Sequence, residues 1–390
     1  MAKQFCGYHG FGLFTIIAGL LDTEGKTPDW LQFPTGRAIF THMARVGIAL
    51  ACALWELHEG DEALVPAYNC GSEISPLLAC GLRVGFYRVD EHMRIDLEDL
   101  RSRVSPRTRL VYVTHYFGWP QDIDQLAAWC KARGIVLLED CAHALFSARR
   151  SSYLGSVGDA AVFSLPKTLP VPDGGVLVMR DTQIDYSLLV NRPKLAHILT
   201  GSLPFLKSRI LWRSHQLGCF SVADTLLGRG LRRPRNQYKI PDFADMPASY
   251  YFDPKLHRCA VSTLSLRLVR RVDPSFVISR RRENYVALHD GLREVRGIHP
   301  LYDTLPEGVC PLALPLLVRD RQMWCDGLAK RSVPAIPWWG GFHRGLSWEG
   351  FEEAFMLKTH VLALPIHQDM TTGCVMHIIR CVREIAKTIK

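Results

Sequence analysis

Short apolar runs alternate with amphipathic stretches between about Thr35 and Arg180. The runs predict strands and the stretches predict helices. The predicted strands are Ala63–Pro66, Arg83–Val89, Leu110–Val113, Ile135–Leu138, Ala160–Phe163 and Val176–Met179, and the predicted helices are Ile48–Leu57, Ile74–Cys80 and Ile123–Lys131. Apolar strands that alternate with helices predict an α/β fold, with a mostly parallel sheet covered on both faces.

After Arg180 the pattern is looser. Residues 194–251 are basic, and within them Leu203–Leu217 is amphipathic and is followed by a Pro- and Arg-rich stretch. This segment predicts a helical insertion that packs on the body of the protein or, as the alternative, a helix that lies on a lipid surface. Leu256–Leu292 predicts one long connector helix, and Gly373–Ile389 predicts a final helix.

These patterns divide the chain of 390 residues into three predicted parts. Residues 1–34 form an N-terminal segment, residues 35–255 form a large domain with the basic insertion, and residues 256–390 form the connector helix and a smaller C-terminal α/β domain. The content of 48% hydrophobic residues excludes a disordered chain. The apolar run Phe11–Leu21 is too short to span a bilayer, so we expect a soluble protein.

The 12 cysteines are scattered, and no C-x-x-C pair occurs among them. Most have apolar neighbours. We therefore expect buried, reduced thiols in a cytoplasmic protein, and neither disulfides nor a metal site.

Positive charge is concentrated in one part of the chain. Arg192–Arg282 contains 18 Lys and Arg but five Asp and Glu, a local charge of +13, whereas the whole chain has +9 and the remainder therefore −4. Such a segment suits an anionic ligand or an anionic surface, and it is equally compatible with a solvated basic face. The sequence contains no nucleic-acid-binding motif, so a nucleic-acid partner is not expected.

Polar side chains follow two of the predicted strands. Asp140 and His143 come after Ile135–Leu138, and Ser164 and Lys167 come after Ala160–Phe163. The carboxyl ends of parallel strands form the ligand-binding edge of α/β folds. A lysine on a short loop behind a buried strand is expected to be desolvated, which favours the neutral, nucleophilic amine.

Two further stretches complete a set of groups that suits pyridoxal 5′-phosphate (PLP). Ala44 and Arg45 open a predicted helix whose free amides can bind phosphate. Tyr68 and Cys70 follow a strand and can cover a flat ring. PLP needs a lysine for its Schiff base, a carboxylate for its ring nitrogen, a phosphate site and a group over the ring.

With these residues in place, the chain resembles the DegT/DnrJ/EryC1/StrS family of PLP-dependent sugar aminotransferases, which have the fold-type-I architecture. The resemblance runs from about Thr35 to the C-terminus. It rests on the motifs Gly60-Asp61-Glu62, His115-Tyr116-Phe117-Gly118, Leu138-Glu139-Asp140-Cys141-Ala142-His143, Gly155-Ser156-Val157-Gly158-Asp159, Asp173-Gly174-Gly175 and Leu364-Pro365-Ile366.

The resemblance implies a role for each matched position. Lys167 would carry PLP as a Schiff base, and Asp140 would pair with the pyridine nitrogen. His143, at a position where the family usually has Gln, would contact the phenolic oxygen. Ser164 would bind the phosphate, three residues before Lys167 where many relatives have five.

The chain departs from the family at the other matched positions. Ala44-Arg45 replaces the usual Gly-Thr or Gly-Ser, so the phosphate site would depend on the charge of the arginine. Cys70 stands where relatives have an aromatic residue, and His115 or Tyr68 could cover the ring instead. His115 is otherwise expected to be structural. The Trp338-Trp339-Gly340-Gly341 run predicts a packing corner or the lining of a substrate pocket.

The family implies a homodimer that transfers an amino group from an amino acid, with glutamate the expected donor, to a keto group. The expected acceptor is an anionic, nucleotide-linked keto-deoxysugar. One alternative is a lipid-linked or other non-sugar ketone, presented at a membrane surface. Another is a non-catalytic regulatory protein with this fold. A sugar dehydratase is disfavoured, because related dehydratases replace the Schiff-base lysine with histidine and Lys167 is present here.

Overall fold

The computed structural model describes residues 31, 36–181, 191, 193–194, 198–199, 201–203, 246, 248–339 and 341–388. A seven-stranded sheet lies at its centre, with the order β1-β9-β8-β5-β4-β2-β3. Its strands are β1 (Arg37–Thr41), β2 (Glu62–Pro66), β3 (Arg83–Tyr87), β4 (Thr108–Thr114), β5 (Val136–Asp140), β8 (Ala160–Ser164) and β9 (Gly175–Met179). Strands β3, β2, β4, β5 and β8 are parallel. At one edge β9 pairs antiparallel with β8, and β1 pairs antiparallel with β9 and so runs in the direction of the parallel strands. The predicted mostly parallel sheet is confirmed.

Short helices connect the strands. They are α1 (Ala44–Leu54), α2 (Ile74–Ala79), α3 (Leu97–Arg103), α4 (Asp124–Lys131) and α5 (Leu165–Thr168), and a small hairpin pairs β6 (Ala148–Arg149) with β7 (Ser152–Tyr153). Helix α1 is apolar and buries seven consecutive residues, Val46–Cys52, because it packs across β9 and β8. Helix α3 begins at Asp96, whose carboxylate accepts from the amides of Glu98 and Asp99.

The C-terminal part has its own sheet, in the order β10-β11-β13-β12, and all three pairings are antiparallel. Its elements are α6 (Thr263–Val269), α7 (Pro274–Leu292), β10 (Ile298–Pro300), β11 (Leu314–Val318), α8 (Arg321–Ala329), β12 (Ile336–Pro337), α9 (Glu352–His360), β13 (Val361–Leu364) and α10 (Thr372–Ala386). Helix α10 is the predicted final helix.

The prediction of one connector helix over Leu256–Leu292 is wrong. The segment contains two helices, α6 and α7, with a break before Pro274. The Asp273 carboxylate caps α7 by accepting from the amides of Ser275 and Phe276, and Pro274 occupies the first helical turn. A capping acid followed by proline starts a helix and ends the preceding one.

One hydrophobic core joins the two sheets. It contains Val111 and Leu137 of the central sheet together with Tyr285 of α7 and Trp324 of α8. The C-terminal elements therefore lie close enough to support side chains at the edge of the central sheet. The proposed boundary between residues 35–255 and 256–390 stays a prediction.

Several predictions concern residues outside this description. They are the N-terminal segment at residues 1–34, apart from Leu31, the amphipathic helix beyond Leu203, and most of the basic stretch at 194–251. Within the described ranges, no helix combines the length and the apolar character that a membrane span requires.

The contact between β9 and the start of α1 can be tested at Gly175. A Cβ added there would lie 2.3 Å from the carbonyl carbon of Met43 and 2.4 Å from the amide nitrogen of Ala44, so backbone would have to move. We expect Gly175→Ala to lower the free energy of unfolding by about 1–3 kcal/mol, measured by urea denaturation.

Gly327→Ala in α8 is the control, because its Cβ would meet the flexible end of the Ile385 side chain at 2.9 Å. Alanine also favours the helix by about 1 kcal/mol. Equal unfolding midpoints for the two variants would contradict the tight contact at Gly175.

Candidate active site

Asp140 is the last residue of β5 and lies at the carboxyl edge of the sheet. It is 7% exposed. Its Oδ1 accepts from the Ala142 amide at 2.8 Å, and its Oδ2 accepts from the Tyr112 hydroxyl at 2.9 Å. Burial raises the pKa of Asp140, while the nearby charge of Lys167 lowers it and that of Glu73 raises it further. The carboxyl group is therefore held in place by neutral donors, without a hydrogen-bonded cation among the described residues.

Lys167 lies in α5, directly behind β8, and its side chain is exposed. The prediction that this lysine is desolvated is wrong for the single chain. The turn buries the neighbours Leu165 and Thr168 and leaves the lysine side chain outside. The charge of Lys167 nevertheless acts on Asp140, His143 and Cys70. The structure thus brings four of the predicted site residues into one electrostatic neighbourhood.

His143 offers a buried nitrogen that needs an acceptor. Its ring is 3% exposed, and Nδ1 accepts from the Phe117 amide at 3.2 Å. Burial, and next the charge of Lys167, hold the pKa of His143 well below its usual range. A neutral imidazole whose Nδ1 accepts carries its proton on Nε2. This Nε2 has no hydrogen-bond partner in the described part of the chain.

The turn after α5 is held by a buried polar network around Asp173. Its carboxylate contacts His42 Nδ1 at 2.9 Å and accepts from the Ser262 hydroxyl at 2.6 Å and from the Ser265 hydroxyl. Burial raises the pKa of Asp173, but these hydrogen bonds outweigh it and the net pKa lies below the usual range. The network sets the Asp173–Gly175 turn, whose Gly174 carbonyl accepts from the Leu165 amide.

The predicted phosphate residues surround this turn. Ser164 ends β8 and pairs with Gly175. Ala44 starts α1, and Met43 before it provides no side-chain cap for the first amides. The Arg45 Nη1 donates to the carbonyls of residues 249–251, so this nitrogen is engaged with backbone. The amides of Ala44 and Arg45 are therefore the candidates for binding an anion, because those of Val46 and Gly47 donate to the Met43 carbonyl. Arg45 contributes charge from a fixed position.

Cys70 lies beside an acid that the sequence analysis missed. The Cys70 thiol donates to Glu73 Oε2 at 2.7 Å, and the Cys70 amide donates to Glu73 Oε1 at 3.0 Å. Burial and the Glu73 charge raise the pKa of the Cys70 thiol to about 12, so the thiol stays protonated. The sequence did contain a signal for Glu73. It is an acid three residues after Cys70 that immediately precedes the predicted helix starting at Ile74.

His115 is structural, as expected. Its Nε2 lies 2.9 Å from Glu139 Oε2, and its Nδ1 accepts from the Gln121 amide at 3.0 Å. Side chains alternate along a strand, so Glu139 points away from the side on which Asp140 lies. Glu139 also accepts from the amides of Gly155, Val157 and Gly158.

His115, Glu139 and Cys141 place three potential metal-ligand atoms within 4.8 Å of one another. The Glu139 carboxylate is already used by amides and His115, and burial raises the pKa of the Cys141 thiol well above its usual range. This cluster is therefore explained by its own hydrogen bonds.

Aromatic side chains from the C-terminal part form a wall beside His143. The His143 ring centroid lies 5.3 Å from that of Trp338 and 5.1 Å from that of Trp339. The ring centroids of Phe117 and Trp338 are 4.8 Å apart. Tyr68 is fully buried and its hydroxyl donates to the Trp338 carbonyl at 3.4 Å. The tryptophan pair thus borders the site, while Gly340 lies outside the described residues.

Lys358 of α9 is a second missed residue. It is 1% exposed, and its Nζ donates to the carbonyls of Asn69 at 2.6 Å and Gly341 at 2.7 Å. Burial lowers the pKa of Lys358 to about 7. This lysine ties the loop that carries Cys70 to the segment that carries Trp339.

Comparison with known proteins agrees with this arrangement. The model of the DegT/DnrJ/EryC1/StrS aminotransferase family matches residues 34–192, the range that contains Asp140, His143 and Lys167. This part of the chain is therefore similar to the family, and the matched range is less than half of the 390 residues. The resemblance inferred from the sequence motifs is confirmed.

Two curated members have recognisable sequence similarity. The GDP-perosamine synthase of Vibrio cholerae is 29% identical over 174 residues, which cover 42% of this chain and 47% of that protein. The dTDP-4-dehydro-2,3,6-trideoxy-D-glucose 4-aminotransferase of Saccharopolyspora spinosa is 26% identical over 151 residues, which cover 38% of this chain and 39% of that protein. The chain therefore matches less than half the length of these relatives.

Solved structures extend the likeness in fold over the whole chain. Helicobacter pylori PseC, an aminotransferase involved in the biosynthesis of pseudoaminic acid, matches with a TM-score of 0.67 at 15% identity. The match covers 100% of this chain and 99% of PseC. The fold-type-I architecture expected for the DegT/DnrJ/EryC1/StrS family is confirmed.

Asp140 and Glu139 allow a paired test of the electrostatics of the site. A carboxyl group whose folded pKa is raised contributes stability at low pH and loses it as the pH rises through that pKa. We therefore expect the ligand-free Asp140→Asn variant to melt above the wild type at neutral pH. The gain is roughly 1–2 °C for each kcal/mol, and it should vanish below about pH 4, where the carboxyl is protonated in both states.

Glu139→Gln is the matched control on the same strand. Burial raises the pKa of Glu139, but the hydrogen bonds from His115 and the amides lower it below its usual range overall. This variant should melt below the wild type at neutral pH, with a difference that shrinks in acid. Thermal denaturation from about pH 2 to pH 8 measures both, and shifts of the same sign at neutral pH would contradict the assignment.

Proposed function

We propose that this protein is a PLP-dependent aminotransferase that moves an amino group from an amino acid to the keto group of a nucleotide-linked sugar. The observation that carries the proposal is the grouping of Asp140, His143 and Lys167 at one edge of the sheet. It combines the buried carboxyl group of Asp140, the buried N–H of His143, which has no acceptor among the described residues, and the exposed amine of Lys167, whose charge acts on both. The match of residues 34–192 to the model of the DegT/DnrJ/EryC1/StrS aminotransferase family supports it.

The residues present fit PLP. The amine of Lys167 would bind the aldehyde carbon, and the Asp140 carboxylate would hold the protonated ring nitrogen. The Nε2–H of His143 would donate to the phenolic oxygen, which is the acceptor that this buried donor requires. Ser164 and the amides at the start of α1 would bind the phosphate.

PLP, when bound, supplies an electron sink for the negative charge that develops at the α-carbon of the amino donor. Lys167 Nζ would accept the α-proton of the donor and return it during the transfer. Asp140 would keep the proton on the ring nitrogen, and its own orientation is set by the Tyr112 hydroxyl and the Ala142 amide. Trp338 and Trp339 reduce access of water beside His143.

The proposed acceptor is an anionic keto sugar, and glutamate is the proposed donor. Two relatives are named for GDP- and dTDP-linked sugars, which share a nucleoside diphosphate. A diphosphate would suit the basic stretch Arg192–Arg282, much of which lies outside the described residues. We also propose a homodimer, in which a second copy would cover the exposed side of Lys167.

The alternatives have less support. The membrane-surface acceptor rested on the amphipathic segment Leu203–Leu217, most of which lies outside the described residues. A non-catalytic role is disfavoured because Lys167, Asp140 and His143 are all retained at one edge of the sheet.

Lys167→Ala tests the proposal. We expect this variant to lose the visible absorbance band of lysine-bound PLP and to lose amino transfer by roughly 10³-fold or more, because the amine that binds PLP and moves the α-proton is gone. Lys330→Ala, which removes another exposed lysine, should behave as the wild type. Absorbance spectra with added PLP, and the glutamate-driven conversion to the pyridoxamine form, measure both effects.

An active Lys167→Ala protein, or a wild type that stays colourless with excess PLP, would refute the proposed function. If glutamate converts the cofactor but a panel of nucleotide-linked keto sugars does not reoxidise the pyridoxamine form, the acceptor is of another class. Cosedimentation with anionic vesicles then tests the membrane-surface alternative.

A further inference from the structure

We propose that Arg281 and Gln368, two residues of the C-terminal part, are positioning residues that set the backbone of the Lys167 turn by holding the carbonyl of Thr168. This inference rests on the proposed function for the role of Lys167. Both residues lie outside the range 34–192 that matches the family model. The inference gives them a role in the geometry of the site. Neither residue contacts the proposed cofactor, and both act through the backbone next to Lys167.

Arg281 is a buried cation that binds carbonyl oxygens. It is 1% exposed, and Nη2 donates to the Thr168 carbonyl at 3.3 Å. Nη1 donates to the carbonyls of Leu312 at 3.1 Å and Pro311 at 3.3 Å. Among the described residues, no carboxylate lies within ion-pair distance of it. Burial lowers its pKa, as expected for a guanidinium whose hydrogen-bond partners are neutral.

Gln368 provides the second donor to the same oxygen. Its Nε2 donates to the Thr168 carbonyl at 3.2 Å, while its Oε1 accepts from Arg281 Nε at 3.0 Å. The two side chains therefore form one unit that ends on a single backbone atom, one residue after Lys167. A carbonyl that receives two buried donors is fixed in direction as well as in position.

The loop that carries Gln368 is itself held by the helix that carries Arg281. Asn284 Nδ2 donates to the His367 carbonyl at 3.0 Å, and Arg280 Nη2 donates to the Met370 carbonyl at 2.7 Å. One face of α7 thus organises the segment after β13. The Leu364-Pro365-Ile366 motif of the sequence analysis leads directly into this segment.

The Lys167 turn needs such support. Helix α5 has four residues, and a helix of one turn is unstable by itself because nucleation is costly. Its start is fixed by the Leu165 amide, which donates to the Gly174 carbonyl at 3.0 Å. At its other end the Thr168 carbonyl is one of the orphan acceptors of a helix C-terminus, where a cation is favourable. Arg281 and Gln368 supply the donors at that end.

The test compares Arg281→Met with the neighbouring Arg282→Met. Arg282 donates to the carbonyls of Pro306 and Val309, and no hydrogen bond joins it to α5 among the described residues, so it controls for the loss of a positive charge on α7. The first readout is independent of turnover. Each apo protein is incubated with PLP, reduced with borohydride at fixed times, and the fraction of labelled Lys167 is measured by peptide mass spectrometry.

We expect Arg281→Met to slow the labelling of Lys167 and to lower kcat by about 10- to 100-fold, because small displacements of a reacting group cost this much. KM for the amino donor should change by less. The visible band of lysine-bound PLP should titrate at a different pH, since the amine has moved relative to Asp140. Arg281→Lys should recover part of the rate, and Arg282→Met should match the wild type.

Labelling and a pH titration like those of the wild type in Arg281→Met would overturn the inference. If Arg281→Met does not fold, Gln368→Met replaces it in the test, because it removes the other donor to the Thr168 carbonyl. The same results are expected of it, and the same results would overturn the inference. Amide hydrogen exchange of residues 165–171 separates this inference from the proposed function. Faster exchange in Arg281→Met but not in Arg282→Met supports the positioning role even if wild-type Lys167 is never labelled, and unchanged exchange refutes it.

Discussion

The candidate site depends on a carboxyl group that the fold removes from water and to which no cation is hydrogen-bonded in the part of the chain that the structure describes. Asp140 lies at the end of a central strand, where its two oxygens accept from the Ala142 amide and the Tyr112 hydroxyl. Burial of such a group disfavours its charged form. Burying Asp140 lowers the free energy of unfolding of the ligand-free protein. A cationic ligand that pairs with Asp140 gains binding free energy from the same carboxylate, and such a trade-off between stability and binding is common at active sites.

Glu139, on the same strand, is a buried acid whose carboxylate is hydrogen-bonded within the protein. It is buried next to Asp140 but on the opposite side of the strand, and three amides and His115 satisfy its carboxylate. The net pKa of Glu139 is lowered, whereas that of Asp140 is raised. The difference lies in the number of donors each side of the strand supplies, so hydrogen bonding and not burial distinguishes the structural acid from the proposed functional one.

The positions of Asp140 and Lys167 were predictable because strand periodicity and the rule for carboxyl edges are local and general. The exposure of Lys167 was not, since it depends on which of its neighbours the turn buries. Glu73 was missed for a similar reason, because a loop and not a strand brings it to Cys70. The break before Pro274 could have been predicted from the capping residue Asp273. It was missed because the helical pattern of apolar residues continues on both sides of the break. Contacts across the chain, such as Arg281 with Thr168, have no local pattern.

Three segments of the site are held by buried or half-buried cations that donate to backbone carbonyls. Arg281 binds the carbonyl of Thr168, Lys358 binds that of Asn69, and Arg45 binds those of residues 249–251. Carboxylates in these places would neutralise the cations, but they would also attract the Lys167 amine and repel a phosphate. Carbonyl oxygens satisfy the same donors without a formal charge. These three segments are therefore fixed without an added negative charge at the carbonyls, which suits the phosphate-bearing cofactor proposed for the site.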